Sequence, residues 1–107
     1  MHLVKRIEII ADSVELGKVI NILDEVGVSS YNVIHNVSSK GLRGTAFDDS
    51  AVTMLDNVYV IAFCVPEKLQ PIIEAIRPIL NKFGGSCWIS DVLEIRSVKC
   101  IAAIQEH

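Results

Sequence analysis

With 107 residues, half of them hydrophobic and 21% charged, the chain has the size and apolar content of one packed domain over residues 1–107. A net charge of -3 supplies no basic field for nucleic acid, and no apolar run of about 18 residues offers a membrane span. The apolar share is high for so short a chain, so a surface for self-association is expected.

The first residues, MHLVKRIEII, lack the apolar region and cleavage site of a secretory signal, and the expected location is the cytoplasm. Leu3 to Ile10 reads as a strand, with Lys5, Ile7 and Ile9 on one face and Val4, Arg6, Glu8 and Ile10 on the other. Asp12 and Ser13 supply helix-capping chemistry, and Glu15 suits the positive end of the helix dipole. Leu16, Val19, Ile20, Leu23 and Val26 then recur at helical spacing, and Gly27 fits the left-handed stop position.

Ser30 to Val37 reads as a second strand, with Tyr31 and Val33 facing one way and Asn32 and Ile34 the other. Asn57 to Val65 is a third, apolar on both faces, which predicts cover on both. Pro66 suits the start of a second helix, whose buried stripe is Leu69, Ile72, Ile73, Ile76, Leu80 and Phe83. Pro71 is tolerable near its start, whereas Pro78 falls in the interior and predicts a kink. Gly84 and Gly85 end the helix, Cys87 to Ile95 reads as a fourth strand, and residues 97–107 form a tail. This order predicts an α+β, ferredoxin-like βαββαβ sandwich, an antiparallel sheet with both helices on one face. The bare face is expected to pack in a homo-oligomer.

Between the second and third strands lie about twenty residues, 38–57, without helical or strand periodicity; such loops in small domains are usually functional. Ser39, Lys40, Gly41, Arg43 and Gly44 make its first part a candidate anion site. Glycines let backbone amides approach an anion, and an arginine can fork onto phosphate oxygens. A solvated, charged loop is the bland alternative. Gly84 and Gly85 offer a second possible anion turn, for which a plain helix stop is an equal reading. Arg96 can reach a phosphate or extend to solvent. Tyr31 and Val33 are candidates to pack an adenine ring, with a core role favoured.

The tip of the loop, Thr45 to Asp56, carries Thr45, Phe47, Asp48, Asp49, Val52, Met54 and Leu55, a mixed acidic and apolar set suited to a protein partner. Asp48, Asp49 and Asp56 are hard oxygen ligands, but solvated loop charges are the default. Cys64, Cys87 and Cys100 are odd in number and far apart, against a disulfide framework or zinc site. His2, His35 and His107 show no ligand spacing with them, so no metal is expected. No nucleophile, base and orienting group fall together, and no enzyme activity is expected.

At this level the chain resembles the PII signalling superfamily. VKRIEII resembles the first strand of its members, Gly27 to Gly44 is similar to the second strand and the root of the T-loop, and SDVLEIR, Ser90 to Arg96, resembles the closing strand. KGLRG, Lys40 to Gly44, is most similar to the PII-like branch associated with bicarbonate transport, the SbtB type. The resemblance spans about residues 3 to 96 and implies a homotrimer binding adenine nucleotides in clefts between subunits. It also implies a T-loop, residues 38–57, that docks onto a membrane transporter or regulatory protein.

Departures from the family pattern are specific. Leu42 stands where typical members carry a glutamine for magnesium and 2-oxoglutarate, and no tyrosine lies in the loop for uridylylation. Cys87 falls where a phosphate-binding lysine is found, Glu94 replaces the first of two arginines, and Cys100 lacks the second cysteine of the SbtB tail. The thinner phosphate clamp makes AMP, cyclic AMP or ADP the expected effector rather than ATP. The competing expectations are a protein-interaction module with no small ligand and a metal-binding trimer of the copper-tolerance (CutA) type. Acylphosphatase-like catalysis lacks its arginine and asparagine cradle, and RNA binding lacks exposed paired aromatics.

Overall fold

A computed structural model describes residues 1–28, 30–38 and 56–96. Strand β1 (His2–Asp12) passes through a short 3-10 turn (Ser13–Glu15) into α1 (Leu16–Val26), and β2 (Tyr31–Val37) follows. Strand β3 (Asn57–Cys64) leads through a second 3-10 turn (Pro66–Lys68) into α2 (Leu69–Phe83), and β4 (Ser86–Glu94) completes the order. The strands form one sheet in the order β2-β3-β1-β4, with every pairing antiparallel. This is the ferredoxin-like α+β arrangement expected from the sequence.

The two-residue period of β1 decides which side chains are buried. Ile7, Ile9 and Ala11 stand opposite Ala62, Val60 and Val58 in the β1–β3 register, and all six are buried beneath the helices. Val19 and Leu23 of α1 and Ile72 and Ile76 of α2 close the same core. Fully burying one such aliphatic side chain contributes about 1.5–3 kcal/mol. Tyr31, Val33 and Cys87 pack against its margin from the outer strands.

Helix ends follow from local chemistry. The Asp12 carboxylate accepts the Val14 amide at 3.1 Å and so caps the first 3-10 turn. Gly27 takes φ 89°, and its amide reaches back to the carbonyls of Asp24 and Leu23. Helix α2 runs through Pro78 to Phe83.

The sheet face away from the helices carries Val4, Arg6, Glu8 and Ile10, then Tyr59, Ile61 and Phe63, with Asn32 and Ile34 beyond β3 and Trp88 and Val92 on β4. Ile34 and Trp88 are each about half exposed. The third strand is thus apolar on both faces, as its sequence indicates, but the described residues cover only one of them.

Candidate functional site

One end of the sheet gathers both ends of the 38–57 segment. Asp12 pairs with Asn57, and Val37 pairs with Asn57 from the other side, so the last residues of β1 and β2 flank the first residue of β3. Asn57 is fully buried there. The outgoing end is tied to the β1–α1 junction. The Ser13 amide donates to the Asp56 carbonyl at 2.8 Å, and the Ser13 hydroxyl donates to Asp56 Oδ2 at 2.8 Å. Asp56, expected to belong to the partner-reading tip, is therefore a root residue. The incoming end is less regular: the β2–β3 register shifts between Ile34 and Val37, and Asn36 has φ 60°. That conformation is uncommon without glycine, and asparagine tolerates it better than most residues.

The Gly84–Gly85 turn lies at this same end, because Ser86 pairs with Ile10. Its helix-stop role is visible directly, since the Gly84 amide donates to the Leu80 carbonyl at 2.9 Å. Gly85 has φ 113°, and a Cβ on it would stand 2.5 Å from the Ile10 carbonyl oxygen. Its glycine is demanded by the close approach to β1 whether or not an anion ever binds. Burial pushes the thiol of the neighbouring Cys87 up, away from reactive thiolate chemistry.

Arg96 sits beyond the other end of β4, where Glu94 pairs with His2. The nine residues of β4 put roughly 30 Å of extended chain between the glycine turn and Arg96. Its guanidinium does not extend to solvent: Nε pairs with Glu94 Oε1, and only 10% of the Arg96 side chain is exposed. Tyr31 stands in mid-sheet, opposite Ala62, which itself pairs with Ile7, and its hydroxyl donates to Asp24 at 3.1 Å. Tyr31 and Val33 pack on the core side. They pack at the margin of the core, the role favoured for them, and Tyr31 begins β2 whereas the loop root ends it.

Ser39, Lys40, Gly41, Arg43 and Gly44, and the tip residues Thr45, Phe47, Asp48, Asp49, Val52, Met54 and Leu55, lie outside the described residues, as does the tail 97–107. Among the described residues no group of three or more His, Cys, Asp or Glu side chains could hold a metal ion, and no helix is long and apolar enough to cross a membrane.

Two groupings were not evident in the sequence. One is the Ser13–Asp56 contact, between residues 43 positions apart. The other is on the open sheet face, where Arg6 and the Tyr59 hydroxyl both engage Glu8 Oε1, each at 2.7 Å. The hydrogen bond to Glu8, with burial, holds the Tyr59 phenol above its usual range. A signal for this second group exists in retrospect, since residues 6 and 8 share a strand face, but the partner on β3 follows only from register.

Solved structures of similar shape come from Thiomonas intermedia K12. CPII bound to ADP, AMP and acetate aligns with a TM-score of 0.78 and 24% identity over 92% of this chain and 95% of that one. CPII bound to ADP and bicarbonate aligns with a TM-score of 0.78 and 23% identity over 92% and 94%. The apo form of CPII, described as a nitrogen regulatory PII-like protein, gives 0.75 and 23% over 90% and 96%. No curated protein matches the chain. The family described as nitrogen regulatory protein P-II matches residues 4–99. On that match and on its four-stranded sheet with two helices, the chain belongs to the P-II family.

Proposed function

We propose that this P-II family member is a non-enzymatic, cytoplasmic regulator, a homotrimer that binds an adenine nucleotide between subunits. AMP, cyclic AMP or ADP is favoured over ATP. In this reading Ser39, Lys40, Gly41, Arg43 and Gly44, with Gly84 and Gly85, read the ligand from one subunit, and Arg96 reaches it from the next. The tip of 38–57 then controls a partner, with a membrane transporter of the kind served by the SbtB branch as the leading candidate. The adenine nucleotides named with CPII are consistent with this ligand class.

The observation that carries the reading is the separation of its candidate residues within one chain. The glycine turn and the roots of the segment stand at one end of the sheet, and Arg96 stands at the other. One subunit cannot bring them to one small ligand, so the reading requires a second subunit. The uncovered apolar sheet face supplies a surface for it to pack on. The test is light scattering followed by calorimetric titration with AMP, cyclic AMP, ADP and ATP. A trimer that binds at least one of them supports the reading. A stable monomer, or a trimer indifferent to all four, ends it.

One observation favours a second reading, a protein-interaction module without a small ligand: the Arg96 guanidinium is already occupied by Glu94 and almost buried. The same titration separates the two.

A further inference from the structure

The open face of the sheet has a charged centre in an apolar surround. Arg6 Nη2 and the Tyr59 hydroxyl both meet Glu8 Oε1 at 2.7 Å. Cross-strand register places Phe63 and Ser90 beside Arg6, and Ile61 and Trp88 beside Glu8, while Tyr59 reaches Glu8 on the diagonal from opposite Ile10. The side chains of Arg6 and Glu8 are 38% and 22% exposed, so their own chain does not roof the pair. Polar capacity is also left over. Among the described residues Glu8 Oε2 has no donor, and Arg6 Nε is buried with no acceptor.

On a face used only for apolar packing such a pair is a disadvantage, because covering it strips water from both charges. It is well suited to choosing what covers it. A surface without polar groups strands the charges, whereas one that presents a carboxylate and a guanidinium at matching places completes them. A patch holding a cation and an anion side by side is complementary to a second copy of itself. Nucleic acid or an acidic peptide would bring like charge to Glu8, and a basic peptide would bring it to Arg6.

We propose that Arg6, Glu8 and Tyr59 form a polar key in the self-association face, which admits a second copy of this chain in one register, with Arg6 of one copy against Glu8 of the partner subunit. This role rests on the self-association proposed above and is independent of the nucleotide. Ile61, Phe63 and Trp88 supply apolar area that is indifferent to register, and the key selects among the overlaps they would allow. Tyr59 holds Glu8 Oε1 from the side, which leaves Oε2 for the incoming guanidinium.

Native mass spectrometry and sedimentation at several concentrations test the key, with circular dichroism as the control for folding. The wild type should give one assembly size. Glu8→Gln and Arg6→Met each remove one charge and leave the other; both should keep the wild-type dichroism and weaken association at least about tenfold. The combined variant Arg6→Met, Glu8→Leu, Tyr59→Phe should associate at least as strongly as the wild type but in a spread of sizes. The exchanged pair, Arg6→Glu with Glu8→Arg, should assemble with itself and be excluded from mixed assemblies with wild-type chains. If a single variant fails to fold, the exchanged pair decides the same point. Single variants that assemble as tightly as the wild type, or exchanged chains that mix freely with it, overturn the key and leave self-association standing. A wild type that stays monomeric defeats self-association itself, and the key with it.

Discussion

Gly85 shows how a single residue can be required for reasons that precede any ligand. Its left-handed backbone and the Ile10 carbonyl 2.5 Å from a would-be Cβ leave no room for alanine. Gly85→Ala should lower the unfolding free energy by roughly 2–4 kcal/mol in a urea titration, the sum of backbone strain and a forced shift of β1. The two tyrosines make a second residue-scale prediction. Burial first and the hydrogen bond to Asp24 second hold the Tyr31 phenol above its usual range; the bond to Glu8 is the leading cause for Tyr59. Both protons are held more tightly in the folded chain. The associated stability is therefore complete below the unfolded tyrosine pKa of about 10 and is lost as pH rises through the higher folded values. In an ultraviolet absorbance titration Glu8→Ala should move the Tyr59 midpoint down and leave Tyr31 where it was.

Among the elements, α2 carries a cost that its sequence announces and its packing absorbs. Pro78 is inside the helix, exposed, and unable to donate to the carbonyl four residues earlier. Ile72 and Ile76 before it are buried in the core and Leu80 beyond it packs against the same core, so both sides of the proline are held. Pro78→Ala should therefore stabilise the protein, by up to about 3 kcal/mol in denaturant unfolding if the missing bond forms without strain. A neutral or destabilising result would mean that the proline sets a local shape the surroundings need. Strand β3 presents the opposite case. Its helix side is fully buried, while Tyr59, Ile61 and Phe63 on its other side are only partly covered. Two-sided apolarity, plain in the sequence, could not say which of its two covers comes from this chain.

At the scale of the whole molecule, that uncovered face is where self-association should be broken most directly. Ile61 lies at its centre, in register with Glu8 on β1, which in turn pairs with Trp88. A charge placed there keeps partial access to water in a lone subunit but is buried and unpaired between subunits. Ile61→Asp should convert the proposed trimer to monomer in light scattering while the far-ultraviolet circular dichroism stays that of the wild type. A trimer that survives this substitution would place the subunit contact elsewhere.

The fold was legible because it rests on short-range rules that side chains state openly. The two-residue alternation of β1 puts Ile7 and Ile9 on one face, helical spacing marks Val19, Leu23, Ile72 and Ile76 for the core, and Gly27 marks the end of α1. The candidate site was only partly legible, because its residues come together by strand register and not by spacing. Tyr31, a candidate to pack an adenine ring, stands opposite Ala62 in mid-sheet, at the other end of β2 from the root of the 38–57 segment. Sequence order put Asp56 in a solvent-facing tip, yet Ser13, distant in sequence, holds it to α1. Glu94 and Arg96, two residues apart, read in the sequence as a weak surface pair; the structure forms the pair but leaves only 10% of the Arg96 side chain exposed. The sequence by itself determined the elements, the buried stripe of each helix and the family, since periodicity and capping are local. Only the tertiary structure decided which ends share one edge of the sheet and which charges are already paired, because those facts depend on contacts between residues far apart in the chain.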